Sequence, residues 1–259
     1  MKHKNDSLTL IYDIETLPIV GTVWGKYEQN LIWSIQDWSI LGFSYRWAGQ
    51  RMKTQSVFIS DFGLYKKDPT SDYEVVKILH ELFSKADIVV AHNGNSFDQK
   101  KAQARMILHG LPPPAPYLQV DTKLVARRNF AFTSNKLDDL GEYFGFGKKL
   151  KTDADLWRKC MAGDMKAMKY MRTYCNRDVE LLEKIYLKMR PWDTQHPNMA
   201  NIADRPDACR LGCEGFGFVS AGWKYTRTGK YRRWQCKNDE CRAYNAGRKM
   251  EKGEKPEMV

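Results

Sequence analysis

The sequence predicts an α/β fold: a mixed five-stranded sheet flanked by helices, followed by a small C-terminal module. Three observations predict it. Short apolar, β-branched runs alternate with stretches of helical period. Three strand-like runs precede the first helix, so the sheet cannot be purely parallel. Four cysteines gather in two close pairs after residue 208.

Each element has its own signature. Residues 8–12 form a short apolar run that reads as a buried strand. Residues 40–47 and 54–60 read as two more, with Gly49-Gln50 as the turn between them. The stretch carrying Trp24, Tyr27, Trp33 and Trp38 fits no regular pattern. From Ser71 the period becomes helical, with Val75, Ile78, Leu79, Leu82 and Phe83 on one face and Ser71 or Asp72 as cap. Residues 87–91 return to strand, His92–Asn95 make a turn, and a helix follows over 97–108, stopped by Gly110 and Pro112–Pro114. Residues 117–121 form the fifth strand. Only helices are read from Thr122 to Met189, the last from about Asp164, and Pro191 and Pro197 mark a linker. The domains are therefore 1–193, a linker at 194–203, and a module at 204–259 ending in a charged tail.

Composition narrows the function. With 42% hydrophobic residues among 259, the chain can bury a sizeable core. No apolar run approaches the roughly 20 residues that span a bilayer, and Met1–Asp6 lead too soon to Asp13 for a signal peptide. Membrane and secretory roles are disfavoured, and close cysteine pairs then read as metal ligands before disulfides. Lys+Arg 42 against Asp+Glu 31 gives a net charge of +11. Residues 194–259 hold 13 of those cations and only 8 of the acids. That density favours a polyanionic partner.

Three acidic elements carry the chemistry. Asp13 and Glu15 end the first strand two residues apart, hence on one face, and two such carboxylates call for a cation between them. Asp98 follows a strand and a Gly turn, where open α/β sheets place their sites. Tyr174 and Asp178 stand one turn apart on the last helix. Taken singly, each also reads as ordinary solvated acid, helix-capping acid or helix surface.

Taken together they resemble the three motifs of the DEDD superfamily of 3′–5′ exonucleases, which includes polymerase proofreading domains. Tyr12-Asp13-Ile14-Glu15-Thr16 matches the first, Asn93 with Phe97-Asp98 the second, and Tyr174 with Asp178 the third. The histidine subfamily needs His where Thr173 stands, so the likeness is to the tyrosine subfamily, nearest to family-B polymerase exonuclease domains, over about residues 8–190. The resemblance implies a ribonuclease-H-like fold and phosphodiester hydrolysis by two Mg²⁺ or Mn²⁺ ions. It implies that Asp13 bridges both ions, Glu15 and Asp178 hold the nucleophile-side ion, Asp98 supports the other, and Tyr174 orients water. Asn93, Thr16, Leu17 and Phe97 then contact the terminal nucleotide, whereas His92 reads as a loop residue with a structural hydrogen bond. An unperturbed phenol, protonated at pH 7, is no strong base.

In the C-terminal module, Cys209, Cys213, Cys236 and Cys241 suit one structural Zn²⁺. Residues 216–219 and 231–234 supply strands, with Gly212, Gly215, Gly217, Gly222 and Gly229 at turns. The pattern resembles a zinc ribbon of transposase type. Residues 223–234 carry five cations (Lys224, Arg227, Lys230, Arg232 and Arg233), four aromatic rings and no acid. Such a mixture suits single-stranded nucleic acid, and it equally suits a small ring core with a solvated basic face. Cys160 and Cys175 read as plain helix residues.

The expected function is a metal-dependent exonuclease that shortens DNA, single-stranded in the first instance, from its 3′ end. The alternatives are an exoribonuclease of the same fold and a catalytically silent nucleic-acid-binding protein. A stand-alone enzyme or a subunit beside a polymerase or replication protein both fit, in the cytoplasm of a bacterium or a phage-infected cell.

Overall fold

A computed structural model of the chain describes residues 7–27, 30–205, 208–213 and 216–249. Gly215, the chain start and the charged tail lie outside the described residues.

The strand β1 (Thr9–Leu17) is followed by a small hairpin, β2 (Val20–Thr22) and β3 (Trp33–Gln36), then by β4 (Ser39–Trp47) and β5 (Gln55–Phe58). After α1 (Tyr73–Lys85) come β6 (Ile88–Ala91), α2 (Asp98–Leu108) and β7 (Leu118–Asp121). Four helices complete the unit: α3 (Thr122–Asn129), α4 (Leu137–Tyr143), α5 (Ala154–Met161) and α6 (Met165–Met189). The five-stranded sheet runs β5-β4-β1-β6-β7. β1 lies antiparallel to β4 and parallel to β6, which is parallel to β7. This mixed sheet with flanking helices fits a ribonuclease-H-like α/β fold.

Alternation along β1 divides the core. Leu10, Tyr12 and Ile14 face one layer with Phe43, Val76, Leu79 and Phe83. Ile11 faces the other with Ile88, Val90, Val125, Leu140 and Ile185. Asp13 and Glu15 continue the Ile11 side. Sequence placed these acids at the strand's end, but β1 continues to Leu17 because β4 pairs with it throughout, with a bulge between Glu15 and Thr16. The unassigned aromatic stretch is the β2–β3 hairpin, too short and too exposed to show an alternating pattern. The expected turn at Gly49 exists, with φ at 74°, but opens a longer connection to β5.

One buried carboxylate sets the position of α2. Asp72 accepts the Ile40 N–H at 2.8 Å, two Arg105 N–H groups at 2.7 Å, and lies 2.6 Å from His109 Nε2. It thereby joins β4, α1 and α2. At the other end, Asp164 caps the long α6 by accepting from Lys166 and Ala167 N–H.

The segment expected to link two domains is packed and partly helical. His196 is buried against Tyr186, its Nε2 2.7 Å from the phenol oxygen, and α7 (Met199–Ile202) follows. The Arg210 guanidinium donates to the carbonyls of Asp193 and Pro191, fastening the C-terminal module to the end of α6. That module is a three-stranded antiparallel sheet of β8 (Phe218–Tyr225), β9 (Lys230–Cys236) and β10 (Tyr244–Lys249) in the order β10-β9-β8. Its third strand was not legible, since residues 244–249 have no apolar alternation. Among the described residues no helix is long and apolar enough to cross a membrane.

Candidate active site

Asp13 and Glu15 project from β1 toward the N-terminus of α2 and the middle of α6. The β6–α2 connection brings Asp98, the first residue of α2, against β1: the Ile14 N–H donates to Asp98 Oδ1 at 3.2 Å. Gly94 permits this tight turn, since a Cβ there would stand 2.6 Å from that of Ala91. Asn93 takes a left-handed conformation, φ 69°, held by its N–H to Asp121 Oδ1 at 2.9 Å and by Lys123 Nζ on its side-chain oxygen at 3.2 Å. From the other side α6 presents Tyr174 and Asp178. Ser44 of β4 donates to Asn176 Oδ1 at 2.7 Å, and the Cys175 thiol donates to the Asp13 carbonyl at 3.5 Å. These bonds lock α6 to the sheet at the level of the acids.

The result is one cavity of about 220 Å³ lined by Asp13, Glu15, Asp98 and Asp178 with Tyr174, Asn93, Phe97 and His92. Thr16 and Leu17 are not part of its lining. Leu17 is 2% exposed and packs in the core. Any contact from this segment to a nucleotide therefore falls to backbone or to Thr16. His92 is a structural residue, as read from the sequence: Nε2 donates to the Asn135 carbonyl at 2.9 Å and Nδ1 lies 2.9 Å from the Thr122 hydroxyl. Burial brings its pKa down to about 4, so it is neutral.

A further lining residue, Lys149, was not expected from the sequence. It comes from the α4–α5 connection, where its N–H donates to Asp138 Oδ1 at 2.6 Å. Its ammonium pairs with Asp178 Oδ2 and lies 3.4 Å from the Tyr174 oxygen. Burial opposes its charge, but Asp178 and Asp13 outweigh that and hold its pKa above the usual range. In sequence Lys149 belongs to a run with Lys148 and Lys151 that looks like a solvated basic loop.

Electrostatics define what the cavity needs. Burial raises all four carboxyl pKa values: Asp13 well above its usual range, Glu15 to about 8, Asp98 to about 6, and Asp178 upward against the pull of Lys149. Mutual repulsion adds to burial at Asp13, from Asp98, Glu15 and Asp178. Tyr174 is likewise raised by burial and by Asp178, so its phenol keeps its proton. One ammonium cannot neutralise four converging carboxylates. Their hard oxygens are the donors Mg²⁺ and Mn²⁺ prefer, and the site fits such ions. Ligand atoms of Asp13, Glu15 and Cys175 lie within 4.8 Å of one another.

At the root of the C-terminal sheet, the sulfurs of Cys209, Cys213, Cys236 and Cys241 also lie within 4.8 Å of one another, none in a disulfide. Cys209 and Cys241 sulfurs are 3.8 Å apart, close to the edge of a tetrahedron with metal–sulfur bonds of about 2.3 Å. Thiol hydrogen bonds from Cys213 and Cys241 pull the Cys209 pKa down, while those with Cys209 and Cys241 push Cys213 up, so these sulfurs cannot all ionise without a cation among them. The expected basic residues divide. Lys224, Arg227 and Lys230 are exposed, Lys230 with its ammonium 4.1 Å from the Trp223 ring centroid. Arg232 donates to Ser220 Oγ and Arg233 to the Ala221 carbonyl, so both also brace the sheet itself.

The carboxylate strain is measurable. Glu15, 9% exposed, loses its proton near the ordinary 4.5 when unfolded and near 8 when folded, pushed up by burial first. In protein freed of divalent ions, stability should therefore fall as pH rises across that window. Glu15→Gln removes this titration. Calorimetry at pH 7.5 without divalent ions should show it unfolding about 4–8 °C above the parent, equivalent to about 2 kcal/mol; a lower midpoint would contradict the repulsion.

Comparison with known proteins agrees with this architecture. Among curated proteins none matches the chain. The family described as the RNase_H superfamily matches residues 45–190, more than half of the length, a span holding Asp98, Lys149, Tyr174 and Asp178 and beginning after β1. That family covers nuclease-like, nucleic-acid-processing folds that use divalent metals, in keeping with the acidic cavity at the sheet's end. The chain belongs to the RNase_H superfamily.

Proposed function

We propose that the chain is a metal-dependent 3′–5′ exonuclease of the DEDD tyrosine type, acting on DNA with single strands preferred and releasing nucleoside 5′-monophosphates. The observation that carries this reading is the convergence of four carboxylates from β1, α2 and α6 on one cavity, Glu15, Asp98 and Asp178 buried and Asp13 half-buried, with Tyr174 one turn before Asp178.

Asp13, Glu15, Asp98 and Asp178 would hold the divalent ions, Asp13 being shared between them on the likeness to the DEDD motifs. When bound, Mg²⁺ or Mn²⁺ would supply the positive charge that makes water nucleophilic and eases departure of the 3′ oxygen. The chain's own groups do the positioning. Protonated Tyr174 holds the attacking water by hydrogen bond and takes no proton from it. Lys149, freed of Asp178 once that carboxylate has another partner, turns its ammonium to the charge growing on the phosphate. Asn93, fixed by Asp121 and Lys123, and Phe97 at the rim hold the last nucleotide.

The same chemistry cuts RNA, so the assay sets labelled DNA beside labelled RNA. With Mg²⁺ or Mn²⁺, DNA should shorten by one nucleotide at a time from the 3′ end. Asp13→Ala and Asp178→Ala should lose at least 1000-fold, and Tyr174→Phe about 10–100-fold, with the fold retained by circular dichroism. RNA cut in preference to DNA would make the chain an exoribonuclease. An uncut substrate would leave a nucleic-acid-binding protein, and an Asp13→Ala protein of full activity would dispose of the mechanism.

The C-terminal sheet is proposed as a zinc-ribbon module that grips nucleic acid, on the four convergent thiols and the exposed Lys224 and Arg227. Its folding energy comes from the metal, because so small a sheet has little core. The parent should carry one zinc per chain and Cys236→Ser none, with loss of strand signal in the module. A parent that takes up no zinc from buffer overturns this part alone.

A further inference from the structure

The β2–β3 hairpin exposes rings that the site above does not use. Trp24 is 82% exposed, Tyr27 91% and Trp33 57%, a concentration of aromatic surface that water disfavours. The hairpin follows the end of β1 at Leu17, two residues beyond Glu15. Because β1 and β6 are parallel, and β6 runs on to Asn93 and Asp98, the hairpin springs from the same end of the sheet as the acidic cavity. A ridge joins the two. Phe97 lines the cavity, and Lys101, one turn along α2, places its Nζ 5.8 Å from the Phe97 ring and 3.6 Å from that of Trp38. Arg105, one turn further, stands 5.5 Å from Trp38, and Trp38 closes the hairpin's return to β4.

A cation stands beside the rings at each end of this path, Lys101 at the ridge and Lys26 on the hairpin, while Arg105 is taken up by Asp72. Lys26 lies 5.9 Å from the Tyr27 ring, while the neighbouring acid Asp37 is turned back onto the Trp38 N–H. Flat rings stack on unpaired bases and cations beside them attract the phosphates. Continuity with the cavity through Phe97 and Lys101 favours a nucleic-acid strand over the protein partner that the hairpin's exposed Ile19, Leu31 and Ile35 would also suit.

We propose that the hairpin and the Phe97–Lys101–Trp38 ridge form a stacking platform for the unpaired strand behind the nucleotide held in the cavity. The platform deepens the nuclease reading and rests on it. It makes affinity depend on several unpaired nucleotides, while hydrolysis of the terminal phosphodiester depends on the cavity alone.

The test uses the full chain and Trp24→Ala/Trp33→Ala, both exposed positions, with matched unfolding midpoints. The p-nitrophenyl ester of thymidine 5′-monophosphate, hydrolysed with Mn²⁺, reads the cavity without any further base. Fluorescence anisotropy of 5′-labelled dT6 with Ca²⁺ present, the label confirmed intact by gel, reads the platform. The double variant should keep ester hydrolysis within twofold and bind dT6 at least tenfold more weakly. Unchanged dT6 affinity overturns the platform. So does sedimentation that shows a parent dimer split by the variant, since the rings would then cover a second copy. A parent that hydrolyses neither ester nor oligonucleotide counts against the nuclease reading, and the anisotropy still judges the platform.

Discussion

The arrangement depends on the repulsion among Asp13, Glu15, Asp98 and Asp178. Glu15, Asp98 and Asp178 are buried and Asp13 half-buried, desolvation raises the pKa of each, and only Lys149 among the cavity's lining brings positive charge. A core selected for stability alone would not keep such a group together, because every added carboxylate raises the cost of the next. The surrounding structure must supply what holds it. Proteins accept local costs of this kind at functional sites and offset them through the rest of the fold.

The offset is visible in how each acid is anchored. Asp13 and Glu15 lie inside a nine-residue strand that pairs with β4 from Leu10 to Leu17 and with β6 over Thr9–Ile11, so their positions follow from the backbone ladder with β4. Asp98 is fixed twice, by the Ile14 N–H and by α2, which the buried Asp72 network ties to β4. Asp178 is set by α6, whose Asn176 and Cys175 bind β4 and β1 on either side of the cavity. The Lys149 ammonium then occupies the position of a counter-charge. Its loop origin gives it freedom to move when a stronger cation enters, while the acids remain on rigid elements.

Much of this was legible in the sequence, for physical reasons. Strand and helix patterns placed five sheet strands and α1, α2 and α6 because their apolar runs are strong. By contrast, α3, α4 and α5 were legible only as helical sequence without bounds, since they are short and joined by irregular connections. Acids two apart on a strand and a phenol four before an acid on a helix have fixed directions, so their convergence follows once topology is known. Other parts were hidden. Lys149 reaches the cavity through the fold of a basic loop, which no periodicity reports. Leu17 follows a bulge that turns its side chain into the core, and the exposed hairpin lacks the alternation that marks a strand. The third strand of the C-terminal sheet is specified by its pairing with β9 more than by its own residues.

The central claim is that the four carboxylates act together as ligands for a pair of divalent ions. Anomalous diffraction from crystals of the full chain soaked in Mn²⁺ tests it most directly. The account predicts two manganese peaks within the cavity, both touching Asp13, with Lys149 displaced from Asp178. A cavity without manganese at millimolar soaking, with Lys149 still paired to Asp178, would contradict it.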